Sequence, residues 1–163
     1  MAKPKVAVVM GSDSDLPTMR ESVKILKEHG VGCDVKVLSA HRSPDDVRAF
    51  AKAARKNGFG VIIAGAGGAA HLAGVMASHT TLPVIGVPME TKELKGIDSL
   101  FSTVQMPSGV PVATVTIGAS GAKNAAILAL EILSLNDKTI EKKLDELKKS
   151  LVYAVRRKNI KGA

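Results

Sequence analysis

Aromatic residues make up only 2% of the chain: three phenylalanines, one tyrosine and no tryptophan. That scarcity excludes an aromatic platform on which single-stranded bases could stack. Cysteine occurs once, at Cys33, so no internal disulfide can form. A buried free thiol in a reducing compartment is the expectation. Long hydrophobic runs are missing too. The first, Val6 to Met10, spans five residues, far too few for a signal peptide or a membrane span. The expectation is a cytoplasmic protein with no membrane partner. Several chemical signatures are also lacking. There is no Gly-Lys-Ser/Thr phosphate loop, no Gly-x-Ser-x-Gly elbow, and no aspartate ending the third apolar run. His29, His41, His71 and His79 show no metal-ligand spacing, so no metal is expected.

What is present is 45% hydrophobic and 23% charged residues, the proportions of a globular chain. With so few rings, the core has to be Val, Ile, Leu, Ala and Met. The 163 residues suit one domain. The net charge of +8 looks at first like a nucleic-acid footprint. It is located elsewhere, however: residues 138–163 hold nine Lys and Arg against three Asp and Glu. A solvated helix face explains that excess, and no nucleic-acid partner is expected.

Taken in order, apolar runs alternate with helical spacing. Val6–Met10, 33–38, Val61–Ala64, 83–87 and 112–117 read as strands. Helices are expected at about 16–29, 44–57, 72–78, 97–104 and 120–133. Such alternation with short loops gives right-handed crossovers, a parallel sheet and helices on both faces. Residues 1–137 therefore read as one α/β catalytic domain. Residues 138–163 read as a basic helical tail, with Ile140, Leu144, Leu147, Leu151 and Val155 in a narrow stripe. A stripe of that kind suits packing on a neighbouring subunit, the alternative being the tail's own domain.

Three loops fall at the carboxyl ends of strands, where α/β proteins bind ligands. Gly11-Ser12-Asp13-Ser14-Asp15 places hydroxyls and backbone N–H groups at a helix start, a setting for an anion. Asp15 is read there as the helix cap or as an acceptor for ribose hydroxyls. Ser39-Ala40-His41-Arg42-Ser43-Pro44 packs together two hydroxyls, a proton carrier and a fixed cation. Its plain alternative is a helix start capped by Ser43 or Asp45. Gly65-Ala66-Gly67-Gly68-Ala69-Ala70 matches a dinucleotide fingerprint, but on the third strand instead of the first. Either a nicotinamide-type cofactor or a small flat ligand would fit such a loop, with His71 beside the ligand or capping the helix.

Together these loops, with Asp98-Ser-Leu-Phe-Ser102, Val104-Gln-Met-Pro107 and Ala122-Lys-Asn-Ala125, closely resemble the catalytic-subunit family of phosphoribosylaminoimidazole carboxylase. The likeness spans about residues 5–135, with Ser43 where threonine is usual and Ala73 where proline is usual. It implies a three-layer α/β/α sandwich with a central parallel sheet of flavodoxin-like type and a C-terminal helical arm. One branch of the family moves the carboxylate of N5-carboxyaminoimidazole ribonucleotide to the ring carbon, in purine (IMP) biosynthesis. The other carboxylates aminoimidazole ribonucleotide directly with CO2. The Gly-Gly-Ala-Ala-His loop and the His-Arg pair resemble the first. The resemblance implies His41 as general acid/base. Ser12 and Arg42, with Ser14 and Ser39 near them, would hold the phosphate, and Asp15 the ribose hydroxyls. Gly67, Gly68, His71 and Leu72 would line the pocket for the imidazole. It also implies no cofactor, an octamer with active sites at subunit junctions, and an ATP-dependent synthase as pathway neighbour.

Overall fold

The computed structural model describes residues 4–158. Five parallel strands form its sheet: β1 Lys5–Met10, β2 Cys33–Val37, β3 Phe59–Ala66, β4 Val84–Pro88 and β5 Ala113–Thr114. Their spatial order is β2-β1-β3-β4-β5. Central parallel strands are covered on both faces, which is why β1 and β3 are apolar at nearly every position. Cys33 begins the edge strand β2, where partial burial pushes its thiol pKa up.

The alternation of side chains along the strands divides the core in two. Val6, Val8, Met10, Val61 and Ile63 face one layer, which includes α1 (Leu16–Glu28) and α5 (Gly118–Ser134). Ala7, Val9, Ile62 and Ala64 face the other, which includes α2 (Pro44–Ala53) and α3 (Leu72–His79). Small residues let the layers approach. Ala122, Ala125, Ala126 and Ala129 are fully buried along α5. The hydroxyl of Ser22 on α1 donates to the Ala122 carbonyl at 2.6 Å, so this contact satisfies its one buried polar group. The short helix α4, Ile97–Val104, sets Thr103 beside Gly86 of β4.

The largest differences from the sequence reading are in α2, β3 and β5. The α2 spiral ends at Ala53, because Ala54 N–H bonds back three residues to Ala51 and Gly58, at φ +81°, completes the turn. Strand β3 is longer than 61–64, running from Phe59 to Ala66 alongside β1. Strand β5 shrinks to two residues, since Pro111 cannot donate and the chain turns away to Gly118 at φ +72°.

The tail forms α6, Lys138–Lys158. The start of its stripe is not free for a partner: Ile140 and Leu144 are buried in the chain's own core, with Leu147 packed against it. Lys143 donates to the His29 carbonyl at 2.9 Å, and Lys148 pairs with Glu131. Only further along do Leu151, Val152, Tyr153 and Val155 lie exposed. No helix among the described residues is long and apolar enough to cross a membrane.

Candidate active site

Strand order reverses direction at β1, so the connections leaving β1 and β3 run to opposite sides of the sheet. Their carboxyl ends part there and leave a crevice, as the rule for open α/β sheets requires. A cleft of about 440 Å³ fills it. Loops after β1, β2 and β3 form its walls.

The β1 loop is organised by Ser12. Its backbone is extended, and its hydroxyl accepts from Ser14 N–H at 3.3 Å and from the Ser14 hydroxyl at 2.8 Å. Ser12 thus caps a short 3-10 turn, Asp13–Asp15, that leads into α1. The expectation that Asp15 caps α1 is corrected: its backbone is already helical and its carboxylate makes no cap bond. That carboxylate lines the cleft instead. Burial pushes its pKa up, against hydrogen bonds from the Ser12 backbone and the Ser14 side chain that lower it.

A carboxyl with a raised pKa binds its proton more tightly when folded than when unfolded. Its charge therefore costs stability as pH rises above the ordinary carboxylate pKa of about 3.9 and through the folded value, and the loss persists above it. Asp15→Asn is expected to raise the thermal midpoint at pH 7, with the gain fading toward pH 4. With Asp15 expected from the family resemblance to accept from ligand hydroxyls, the same change weakens ligand binding about tenfold. Thermal melts at both pH values and a binding titration check the two halves separately.

The β2 loop is tied to itself and to the β1 loop. Ser39 Oγ accepts from Arg42 N–H at 3.2 Å and from Arg42 Nε at 3.3 Å, while Arg42 Nη2 donates to the Gly11 carbonyl at 3.0 Å. The guanidinium is thereby fixed at the cleft with donors to spare. Ser43 occupies the cap position of α2, but its hydroxyl turns back to the Ser39 carbonyl at 3.3 Å and makes no cap bond.

The β3 loop is glycine and alanine up to His71. Gly68 turns it at φ +65°, and Met89 N–H donates to the Ala66 carbonyl at 2.9 Å. His71 sits at the cap position of α3 without capping it. Its Nδ1 lies 2.8 Å from His41 Nε2, with the two rings edge to face at 83°. One nitrogen donates and the other accepts, so the pair shares one N–H between the rings. A second proton there would set two donors against each other and break the contact.

Ser12, Ser14, Asp15, Ser39, His41, Arg42, Gly67, His71 and Leu72 all line the cleft, joined by Gly11, Ala40, Ala66 and Ala69. Gly68 does not: its N–H turns away to Ser99 Oγ of α4 at 3.0 Å. Ser99 and Ser102, which hold this loop from behind, were not singled out as site residues by the sequence reading. Their one signal was membership of the Asp98–Ser102 motif. The site offers a fixed cation and hydroxyls suited to an anion. It also offers a paired imidazole able to take up and return a proton, beside small apolar groups.

Residues 5–153 match the family model described as AIR carboxylase. Proteins named N5-carboxyaminoimidazole ribonucleotide mutase are similar over most of the chain. The one from Bacillus subtilis is 55% identical over 153 residues, covering 94% of each chain. The one from Aquifex aeolicus is 59% identical over 143 residues, 88% of this chain and 84% of the relative. The crystal structure of Treponema denticola PurE superposes with a TM-score of 0.84 at 27% identity, covering 94% of this chain and 95% of that one.

Proposed function

The chain belongs to the AIR carboxylase family, and we propose that its cleft converts N5-carboxyaminoimidazole ribonucleotide to 4-carboxy-5-aminoimidazole ribonucleotide, an isomerisation in de novo purine (IMP) biosynthesis. The observation that carries this reading is the His41–His71 pair, set in a cleft lined by Gly and Ala that Arg42 also lines. Relatives bearing the mutase name support it over a dinucleotide-dependent reaction at the Gly65–Ala70 loop.

The chemistry asks little of the protein. As the carbamate N–C bond of the substrate breaks, its electrons remain on nitrogen, which takes a proton from His41, and CO2 is set free. The resulting aminoimidazole is an enamine, nucleophilic at the ring carbon. That carbon attacks the CO2 held beside it, and His41 then removes the ring proton to restore aromaticity. One proton leaves His41 and one returns, so the reaction is balanced with no other reagent. A confined apolar wall keeps CO2 next to its acceptor. His71 holds the His41 ring in one orientation. Ser12, Ser14, Ser39 and Arg42 take the 5′-phosphate, and Asp15 the ribose hydroxyls.

Arg42→Ala is expected to weaken nucleotide binding about 10- to 100-fold, the range for losing a charge-assisted hydrogen-bond set. Arg42→Lys recovers little, since one ammonium cannot span Ser39, Gly11 and a phosphate together. A binding titration decides; unchanged affinity counts against the phosphate assignment.

The direct carboxylation of aminoimidazole ribonucleotide shares the second half of this mechanism. Two reactions without ATP separate the readings: N5-carboxyaminoimidazole ribonucleotide alone, and aminoimidazole ribonucleotide with modest bicarbonate. Conversion in the first only supports the mutase. Efficient conversion in the second overturns it in favour of direct carboxylation. The same reading includes a cytoplasmic octamer supplied by an ATP-dependent synthase. Exposed apolar side chains on α4 and on the outer half of α6, Phe101 and Tyr153 among them, support assembly. Light scattering that reports single chains would remove the octamer.

A further inference from the structure

The β3 loop reaches the cleft with no side chain of its own to anchor it before His71. Glycine and alanine lose much backbone freedom on being held in one shape. Something outside the loop has to hold it, and the contacts converge on Gly68. Ser99 Oγ accepts from Gly68 N–H at 3.0 Å, and Ser102 Oγ reaches the Gly68 carbonyl at 3.3 Å. Both groups of one residue are thus gripped from α4. Ser99 is completely buried and Ser102 only partly, and Ser102 has a closer partner in the Asp98 carbonyl at 2.7 Å. The grip itself is braced. Thr91 Oγ1 donates to Asp98 Oδ1 at 2.8 Å and accepts from Gly96 N–H at 3.0 Å, fixing the first turn of α4 on which Ser99 stands.

We infer that Ser99 is a positioning residue of the reaction: through Gly68 it sets the β3 loop, and with it His71, against the site where the carboxyl group is transferred. This rests on the function proposed above. Ser99 does not touch the substrate, being fully buried behind Gly68. Its effect falls on the transfer end of the cleft and spares the phosphate end, which the β1 and β2 loops build.

The test compares Ser99→Thr with Ser99→Val in the full chain. The two side chains have nearly the same size and shape, so they disturb packing alike, and only threonine keeps an oxygen to accept from Gly68. The valine variant is expected to lose about 10- to 100-fold in kcat relative to threonine, with KM within about threefold. A larger share of its turnovers ends as decarboxylated aminoimidazole ribonucleotide, because a loose loop lets CO2 escape. Equal kcat and equal CO2 loss in the two variants overturns the inference. Wild-type enzyme in the same assay isolates failure of the function itself. Hydrogen exchange at the Gly68 amide needs no turnover. Exchange faster in the valine than in the threonine variant supports the contact; equal exchange overturns it.

Discussion

Replacing His41 with asparagine should lower kcat by about a thousandfold or more while nucleotide affinity stays within a few-fold. Asparagine resembles imidazole in reach and can still present an N–H or a carbonyl to His71 Nδ1, which now lies 2.8 Å from His41 Nε2. It cannot take up a proton near neutrality. The mechanism requires one proton delivered to nitrogen and one removed from carbon, and general acid–base catalysis contributes about 10²- to 10⁴-fold per positioned group. The phosphate and ribose contacts belong to other side chains, so binding survives. His71→Asn is expected to cost less, since His41 would keep its proton chemistry and lose only a partner that fixes its ring. Steady-state turnover together with calorimetric titration of the nucleotide checks both variants. Near-normal turnover in the His41 variant would remove His41 from the acid/base role.

The largest expected effect on the fold comes from one methyl group. A Cβ added to Gly121 would lie 1.7 Å from the carbonyl oxygen of Thr116 and 2.8 Å from its carbonyl carbon. These are backbone atoms, and no rotamer change moves them. Thr116 belongs to the connection that enters α5 through Gly118, so relief would require shifting the helix. Moving α5 would drag Ala122 from Ser22 and open the layer against α1. Overpacking a core typically costs about 1–3 kcal/mol, and a clash with main chain lies at or above the top of that range. Gly121→Ala should therefore unfold at a markedly lower urea concentration, or fail to accumulate as folded protein. Gly109→Ala is the control. Its φ of +92° disfavours alanine, but the space around it is open, so the cost is only about 1 kcal/mol. A Gly121 variant with the wild-type midpoint would show that the α5 entry gives way freely.

The buried strands and the rim loops were legible because local pattern determines them. An unbroken run such as Val6–Met10 can be satisfied only between two helical layers, and the three polar loops follow directly from such runs. Other features depended on distance in space. His41 and His71 are 30 residues apart on loops after different strands, and nothing in their spacing says that the rings touch. Asp15 looked like a helix cap, yet Ser12, three residues earlier, captured the turn first. The α4 stretch was legible as a short helix, but not which of its sides is buried. In the fold Ile97, Phe101 and Val104 are exposed, while the polar Ser99 and Thr103 are buried. The burial follows from the work of those hydroxyls: Ser99 meets the β3 loop and Thr103 bonds back to the Ser99 carbonyl. A hydrophobicity pattern cannot see a hydroxyl that already has a partner.

The contact between α1 and α5 joins parts of the chain about a hundred residues apart. Ser22 and Ala122 meet in the interior, so neither side of that layer is finished until both have been synthesised. At about 5–20 residues per second of translation, the first helix waits about 5–20 s for its partner. Through that interval the side of α1 that meets α5 has nothing to cover it. The nascent polypeptide is most vulnerable to aggregation then, and most in need of a chaperone, although its catalytic loops have already left the ribosome.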